Sequence, residues 1–123
     1  MLPEIVRDAW DNHEGPIVMT TVNGDGIPNA IYATCAKKLD DDRIVVADNY
    51  FKKTRENIQS GSKASILFIT GDKKSYQIKG PIEYLDSGEI FEEMRTWVDP
   101  KHPRVAVAVV SADEVYNGQT RLQ

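Results

Sequence analysis

Short segments rich in β-branched residues, separated by turn signals, are the feature that most restricts how this chain can fold. Residues 16–22 read PIVMTTV and are followed directly by NGDG at 23–26. An Asn-Gly pair between two such runs is a strong signal for a β-hairpin. Further β-type runs follow at 27–38, 43–48 and 63–70. Because these runs are neighbours in sequence, with no regular alternation of strand and helix, they predict a mostly β, antiparallel fold.

Two more strands are predicted in the second half of the chain. Residues 75–86 read SYQIKGPIEYLD and form one long strand that Gly80 and Pro81 interrupt. Such a pair inside a strand predicts a bulge or a bend at a sheet corner. Residues 104–112 form the last strand, RVAVAVVSA, and the polar segment 113–123 is predicted as a tail. The expected count is therefore about six strands.

Two or three short helices are expected to flank the predicted strands. The segment 3–12, PEIVRDAWDN, places its apolar residues on one face at helical spacing. The segment 53–61 reads as one to three helical turns that Gly61 ends. The segment 87–97 is amphipathic and has an acidic first turn. With 123 residues, a single domain spanning 1–123 is the natural expectation.

The overall charge and the short apolar runs narrow the classes of partner. The chain has 15 Lys and Arg against 19 Asp and Glu, and its net charge of −4 disfavours non-specific binding to nucleic acid or anionic membranes. The longest apolar run, at 105–110, is far shorter than the ~18 residues needed to cross a bilayer. The start MLPEIVRDAW lacks the pattern of a signal peptide, and the single cysteine, Cys35, fits a reducing compartment. We therefore expect a cytoplasmic protein that binds neither nucleic acid nor membrane.

A cluster of cations at a predicted helix start is the strongest candidate for a binding site. The stretch DNYFKKTREN, 48–57, places Lys52, Lys53 and Arg55 where the helix dipole favours acidic residues. The charges alone leave two interpretations open. Either the cations are solvated, at a cost of about 0.3–1 kcal/mol, or they bind a phosphate-like anion together with the free N–H groups of the helix start.

The other residues able to carry chemistry are isolated in the sequence. His13 and His102 are too few and too far apart to predict a metal site, and Asp40–Asp42 lack the ligand spacing of a calcium loop. Cys35 lies in an alternating strand and is interpreted as a packed thiol. No Ser–His–Asp arrangement can be argued from two histidines in loops. Redox activity would therefore need a bound cofactor.

The segment IVVADNYFKKTREN, 44–57, resembles the flavin-binding loop of the pyridoxamine 5'-phosphate oxidase-like, FMN-binding split-barrel superfamily. The similarity covers nearly the whole chain, including the NGDG hairpin with Pro28 and Asn29 and the final VAVAVVSA strand. Within the superfamily the chain is most similar to the small bacterial FMN-binding proteins of about this length. The resemblance implies a six-stranded antiparallel split β-barrel of Greek key type with short flanking helices.

The resemblance also implies FMN as the cofactor and a set of residues that hold it. Lys53 and Thr54, with Lys52 nearby, would bind the FMN phosphate, whereas Arg55 is interpreted as a solvated bystander. Two strands would flank the flavin ring, the first after the hairpin and the second before the basic cluster. Ala30, Ile31 and Tyr32 would lie beside the ring, and the backbone of Val46, Ala47, Asp48 and Asn49 would run along its edge.

A homodimer with FMN at the subunit interface is a further implication of the resemblance. Trp97 and the tail near Leu122 would then reach the flavin of the partner. Ser75 fills the place of a glutamine that touches the flavin in the oxidases. These oxidases also carry an R-x-H pattern near the C-terminus for their substrate, and the end of this chain, NGQTRLQ, has none. Oxidation of vitamin B6 is therefore not expected.

The expected function is electron transfer or a flavin-dependent oxidoreduction, with a redox partner protein or a small-molecule substrate. No catalytic residue is assigned, because the candidate proton donors Tyr32, Tyr50 and Tyr76 are equally explained by packing. Two alternatives stay open. In the first, the same cleft binds a deazaflavin or haem. In the second, the chain is a non-enzymatic interaction module whose KKTR patch contacts an acidic partner.

Overall fold

Ten strands and three helices make up the structure, a computed structural model that describes residues 1–123. The helices are α1 (Glu4–Asp11), α2 (Lys53–Gln59) and α3 (Glu89–Trp97). The strands are β1 (Ile17–Val22), β2 (Pro28–Ala33), β3 (Ala36–Lys38), β4 (Arg43–Asp48), β5 (Ala64–Ile69), β6 (Ser75–Gly80), β7 (Ile82–Leu85), β8 (Ala106–Ser111), β9 (Glu114–Asn117) and β10 (Thr120–Arg121). No helix is long and apolar enough to cross a membrane.

The strands form two antiparallel sheets. The larger has six strands in the order β10-β9-β6-β5-β1-β2, and the smaller has four in the order β3-β4-β8-β7. The predicted mostly β, antiparallel class is confirmed. The predicted number of six strands is wrong, and no strand ladder joins the two sheets into a closed barrel.

Three local features explain the larger number of strands. The predicted strand 27–38 bends after Ala33, so that β2 pairs with β1 whereas β3 pairs with β4 in the other sheet. The predicted strand 75–86 divides in the same way into β6 and β7. The polar tail pairs with β6 through β9, because Val115 is buried opposite Ile78 and anchors a segment that is otherwise hydrophilic.

Gly80 is the residue that lets the chain pass from one sheet to the other. A Cβ atom at this position would lie 1.6 Å from the carbonyl oxygen of Ser111 on β8. The carbonyl of Pro81 accepts a hydrogen bond from the Ser111 amide at 3.1 Å, which fixes the corner. The bend predicted at Gly80 and Pro81 is therefore confirmed, and its physical cause is close backbone contact between β6 and β8.

The two central strands of the four-stranded sheet, β4 and β8, are buried on both faces. On β4, Ile44 and Val46 point into the main core, which also contains α1 and the inner face of the six-stranded sheet. Val45 and Ala47 point the other way, into a second cluster that Met94 of α3 covers. Since successive side chains of a strand face opposite sides, this continuous apolar run is what a doubly covered strand requires. The rigid β4 carries the candidate site at its end.

Candidate functional site

A cleft of about 350 Å³ opens between β2, the end of β4 and the start of α2. This volume lies within the range of roughly 300–1,000 Å³ that is usual for small-molecule sites. Its walls are formed by residues 29–35, by Ala47, by residues 49–54 and by His102. Strand β2 is the edge of the six-stranded sheet, and β4 belongs to the smaller sheet. The cleft therefore lies where the two sheets meet.

The first wall is an edge strand with free backbone groups. Strand β2 pairs only with β1, through partners such as Val18 with Tyr32. On an edge strand, every second residue directs its N–H and C=O groups away from the ladder. The cleft follows this strand from Asn29 to Ala33. The wall can thus donate and accept hydrogen bonds in the plane of a flat ligand.

The second wall carries positive charge that no acidic residue neutralises. Lys52 and Lys53 are exposed, and neither forms an ion pair. The first i→i−4 bond of α2 runs from the Glu56 amide to the Lys52 carbonyl at 3.1 Å, so the three preceding N–H groups have no partner within the helix. Two ammonium groups and the positive end of a short helix favour an anion at this end of the cleft.

A buried hydroxyl connects the two walls. Thr54 is only 1% exposed, and its Oγ1 accepts a hydrogen bond from Nδ2 of Asn29 at 3.1 Å. This bond ties the start of α2 to the edge strand β2. Helix α2 is held at its other end by a turn in which the Gly61 amide donates to Ile58 and the Ser62 amide to Asn57, both at 3.0 Å. The predicted end of this helix at Gly61 is confirmed.

Asp48, at the end of β4, holds the loop that carries the lysines. Its carboxylate is 0% exposed and accepts hydrogen bonds from the Phe51 amide at 3.0 Å and from Arg55 Nε at 2.7 Å. A second Arg55 nitrogen donates at 3.0 Å, and the Tyr84 hydroxyl donates at 2.5 Å. Burial, reinforced by the hydrogen bond to Asp48, raises the pKa of Tyr84 to about 12. The interpretation of Arg55 as a solvated bystander is wrong, since Arg55 neutralises a buried carboxylate.

The structure brings most of the predicted cofactor residues to this cleft. Those that line it are Ala30, Ile31, Tyr32, Ala47, Asn49, Lys52, Lys53 and Thr54. Two others lie beside it but face inward. The side chain of Val46 is in the main core, and the carboxylate of Asp48 is engaged as described above. Their assignment to the cofactor stays a prediction.

Three predicted residues lie outside the cleft of the single chain. Ser75 begins β6, where its carbonyl accepts a hydrogen bond from Gly118 at 3.0 Å. Trp97 ends α3 and packs against the second core cluster, with the Lys37 ammonium 5.9 Å from its ring centroid. Leu122 is exposed near the chain end. Their assignment to the cofactor stays a prediction.

Sequence reasoning left several lining residues out of the cofactor site, of which Asn29, Tyr50 and His102 are polar; Tyr50 was considered only as a possible proton donor. Asn29 and Tyr50 are next to segments that were assigned to the site, and this closeness in sequence could have added them to it. His102 offered none, because it lies about fifty positions further along the chain. The pairing of β4 with β8, which sets Asp48 opposite Ala106, brings its loop beside the cleft.

Comparison with known proteins agrees with this architecture. The sequence profile of the family described as pyridoxamine 5'-phosphate oxidase matches residues 4–119. An uncharacterized protein of Methanocaldococcus jannaschii is 30% identical over 106 residues, which cover 82% of this chain and 71% of that protein. HupZ of Group A Streptococcus has a similar structure, with a TM-score of 0.83, 23% identity, and coverage of 98% of this chain and 97% of its own. An FMN-binding protein from Syntrophomonas wolfei gives a TM-score of 0.76 at 17% identity, covering 98% and 96%.

Proposed function

This chain belongs to the pyridoxamine 5'-phosphate oxidase family, and from that membership we propose that it binds FMN and acts in electron transfer or as a flavin-dependent oxidoreductase. The family relationship supports a flavin-binding, oxidoreductase-like protein in general terms. The identity of the flavin as FMN is our proposal, and it rests on the chemistry of the cleft. When bound, FMN would supply the transfer of electrons that no side chain of this protein provides.

The residues of the cleft fit the parts of FMN. The phosphate carries about −1.5 to −2 charges at pH 7, and Lys52 and Lys53 are two cations without a counter-ion at one end of the cleft. The flavin is a planar heterocycle with donors and acceptors around its rim. The backbone edge of β2, from Ala30 to Ala33, presents matching groups along the cleft wall. The uncompensated lysines beside a free strand edge are the observation that carries the proposal.

Pyridoxamine 5'-phosphate oxidation itself is not part of the proposal. The C-terminal segment 117–123, NGQTRLQ, contains no R-x-H pattern for that substrate. Residues Thr120 and Arg121 instead form β10, which pairs with β9 at the far edge of the six-stranded sheet from β2.

A homodimer is the second part of the proposal. Leu67, Ile69 and Tyr32 expose apolar side chains on the outer face of the six-stranded sheet. Leu67 and Tyr32 both lie opposite Val18, so they share one row across this face. Exposed apolar patches on a sheet are typical of subunit interfaces. Since Tyr32 also lines the cleft, a dimer formed through this face would bring the partner to the rim of the cofactor site.

The proposal is tested by comparing FMN with riboflavin, which lacks the phosphate. Fluorescence quenching should show that the wild type binds FMN more tightly than riboflavin. Lys53→Ala should weaken FMN binding roughly 10- to 100-fold, the worth of one charge-assisted hydrogen bond, and leave riboflavin binding unchanged. Lys74→Ala, in the turn before β6, is the matched control and should alter neither. A protein that gains no flavin absorbance with added FMN would refute the proposal.

The alternatives give different outcomes in the same assay. A deazaflavin or haem site in this cleft would make one of those ligands displace FMN at lower concentration, and haem would show its own absorbance band. A non-enzymatic module would bind none of the three. Its binding to an acidic partner protein would instead be lost when Lys52 and Lys53 are neutralised.

A further inference from the structure

Tyr50 and His102 form a hydrogen-bonded pair in the cleft that the cofactor assignment does not use. The Tyr50 hydroxyl lies 3.2 Å from Nδ1 of His102, and the two rings meet edge to face at 5.8 Å. Both residues line the cleft. Tyr50 is 71% exposed, so its ring does not contribute to the core. The pair presents polar groups in the cleft and contributes little apolar burial to the fold.

The loop that carries His102 is held firmly against the cleft. The Arg104 amide donates to Oδ1 of Asn49 at 3.1 Å, and the Val105 amide donates to the Asp48 carbonyl at 2.8 Å. Arg104 has a φ of 50°, in the left-handed region that non-glycine residues rarely occupy. Strained backbone of this kind persists where surrounding contacts enforce it, and it is concentrated at functional sites. The fold thus imposes the position of His102 next to Tyr50.

The hydrogen-bonding capacity of the pair is specific. Tyr50 has one hydroxyl proton, and Nδ1 of a neutral histidine either donates or accepts. When Nδ1 donates to the tyrosine oxygen, the hydroxyl proton is free to bind an acceptor in the cleft. Tyr32, exposed on the β2 wall of the same cleft, offers a further aromatic surface for a flat molecule. The arrangement suits a planar ligand that carries a carbonyl oxygen.

We propose that Tyr50 and His102 are the substrate-recognition pair of the cleft, which binds a small planar molecule through its carbonyl group beside the cofactor. This inference rests on the proposed flavin function and gives that function a substrate class. Lys52 and Lys53 hold the anionic end of the cofactor, and the pair addresses the second ligand. The protein would then act on an organic substrate and would be more than an electron carrier.

The two histidines of the chain make the inference testable by NMR. Nδ1 of His13 lies 2.5 Å from the Trp10 carbonyl, which can only accept, so this nitrogen carries a proton and serves as an internal reference. With FMN added to ¹⁵N-histidine-labelled protein, benzamide should move the His102 Nδ1 resonance toward the protonated position of His13. Toluene, which has a similar ring and no carbonyl, should leave it in place.

Two substitutions separate recognition from structure. Tyr50→Phe should weaken benzamide binding roughly tenfold and abolish the His102 shift, and His102→Asn should weaken the binding to a similar extent. Tyr116→Phe, the matched control, removes a tyrosine hydroxyl that lies outside the cleft, where it donates to Glu114 at 2.7 Å, and should preserve the shift. FMN quenching should be unchanged in all three. Failure of the wild type to bind FMN would refute the proposed function. Normal FMN binding with a His102 resonance that ignores benzamide would refute only this inference.

Discussion

Replacing Asp48 by asparagine should destabilise the protein more than its small change in shape suggests. Asparagine keeps the size of the side chain and an oxygen for the Phe51 amide, but it carries no charge and cannot form an ion pair with the Arg55 guanidinium. Removing one member of a buried ion pair costs about 3–5 kcal/mol because the other charge is left uncompensated. The Arg55 side chain is 32% exposed and gains some solvation, which lowers the expected loss to about 2–3 kcal/mol.

The chain contains a matched control for this experiment. Asp40 and Arg43 form a second carboxylate–guanidinium pair with the same closest distance, 2.7 Å, but their side chains are 42% and 39% exposed. Exposed pairs contribute about 0–1 kcal/mol. Asp40→Asn should therefore cost less than about 1 kcal/mol, although it removes the same chemical group.

Urea unfolding followed by tryptophan fluorescence measures both variants, since Trp10 is buried in the main core. All samples should have the same protein concentration, because a dimer makes the midpoint concentration-dependent. Arg55→Gln should lower the free energy of unfolding more than Asp48→Asn does, because it leaves without a counter-ion a carboxylate that is 0% exposed. The double variant should recover part of that loss. Equal costs for Asp48→Asn and Asp40→Asn would refute the reasoning.

Three further predictions follow from the fold. Gly80→Ala should destabilise the protein by about 3 kcal/mol or more, because the added methyl group meets a β8 carbonyl. Gly24→Ala, which places its methyl group in open space, should be nearly neutral. Similar midpoints of the two variants in urea unfolding would contradict the close contact at Gly80. Tyr84 has its folded pKa raised to about 12 against about 10 in an unfolded chain. The contribution of Tyr84 to the free energy of unfolding is present below pH 10 and is lost as the pH rises from 10 to 12. Tyr84→Phe should therefore remove that part of the alkaline decline in stability measured by urea unfolding, and an unchanged pH profile would exclude this role of Tyr84. If the chain forms the proposed homodimer through this face, Leu67→Glu should convert it to a monomer in sedimentation, with retained circular dichroism; a dimer that persists would exclude this face.

The sequence predicted the class of fold because its evidence is local. Alternation of apolar residues, the Asn-Gly turn and the Gly80–Pro81 interruption each act within a few positions of the strand they specify. Pairing between distant strands has no such local signal. The division of residues 27–38 between two sheets depends on which partners lie nearby in the folded chain, and a period-two pattern cannot show that. The predicted number of strands was wrong for this reason.

The residues of the candidate site also differ in whether local sequence could predict them. Lys52, Lys53 and Thr54 were accessible from sequence because they are consecutive and because the two lysines conflict with the dipole of the helix at whose start they lie. His102 was not, because only the pairing of β4 with β8 brings its loop to the cleft. Residues that are close in sequence can be assigned together. Residues that meet through long-range strand pairing need the structure.

The basic cluster at the start of α2 contains one cation that stabilises the fold and two that we propose bind the ligand. Three positive charges at a helix start repel one another and oppose the dipole, so the local sequence gives no reason for all three. Asp48 accounts for Arg55, which it binds through two hydrogen bonds in the protein interior. The remaining charge, Lys52 and Lys53, faces the cleft without an acidic partner. Two uncompensated cations match the charge of a phosphate dianion, whereas three would exceed it. The buried carboxylate of Asp48 therefore engages Arg55 and leaves Lys52 and Lys53 as the two cations available to an anion in the cleft. Arg55→Gln should weaken FMN binding only indirectly, by loosening the loop that carries the two lysines.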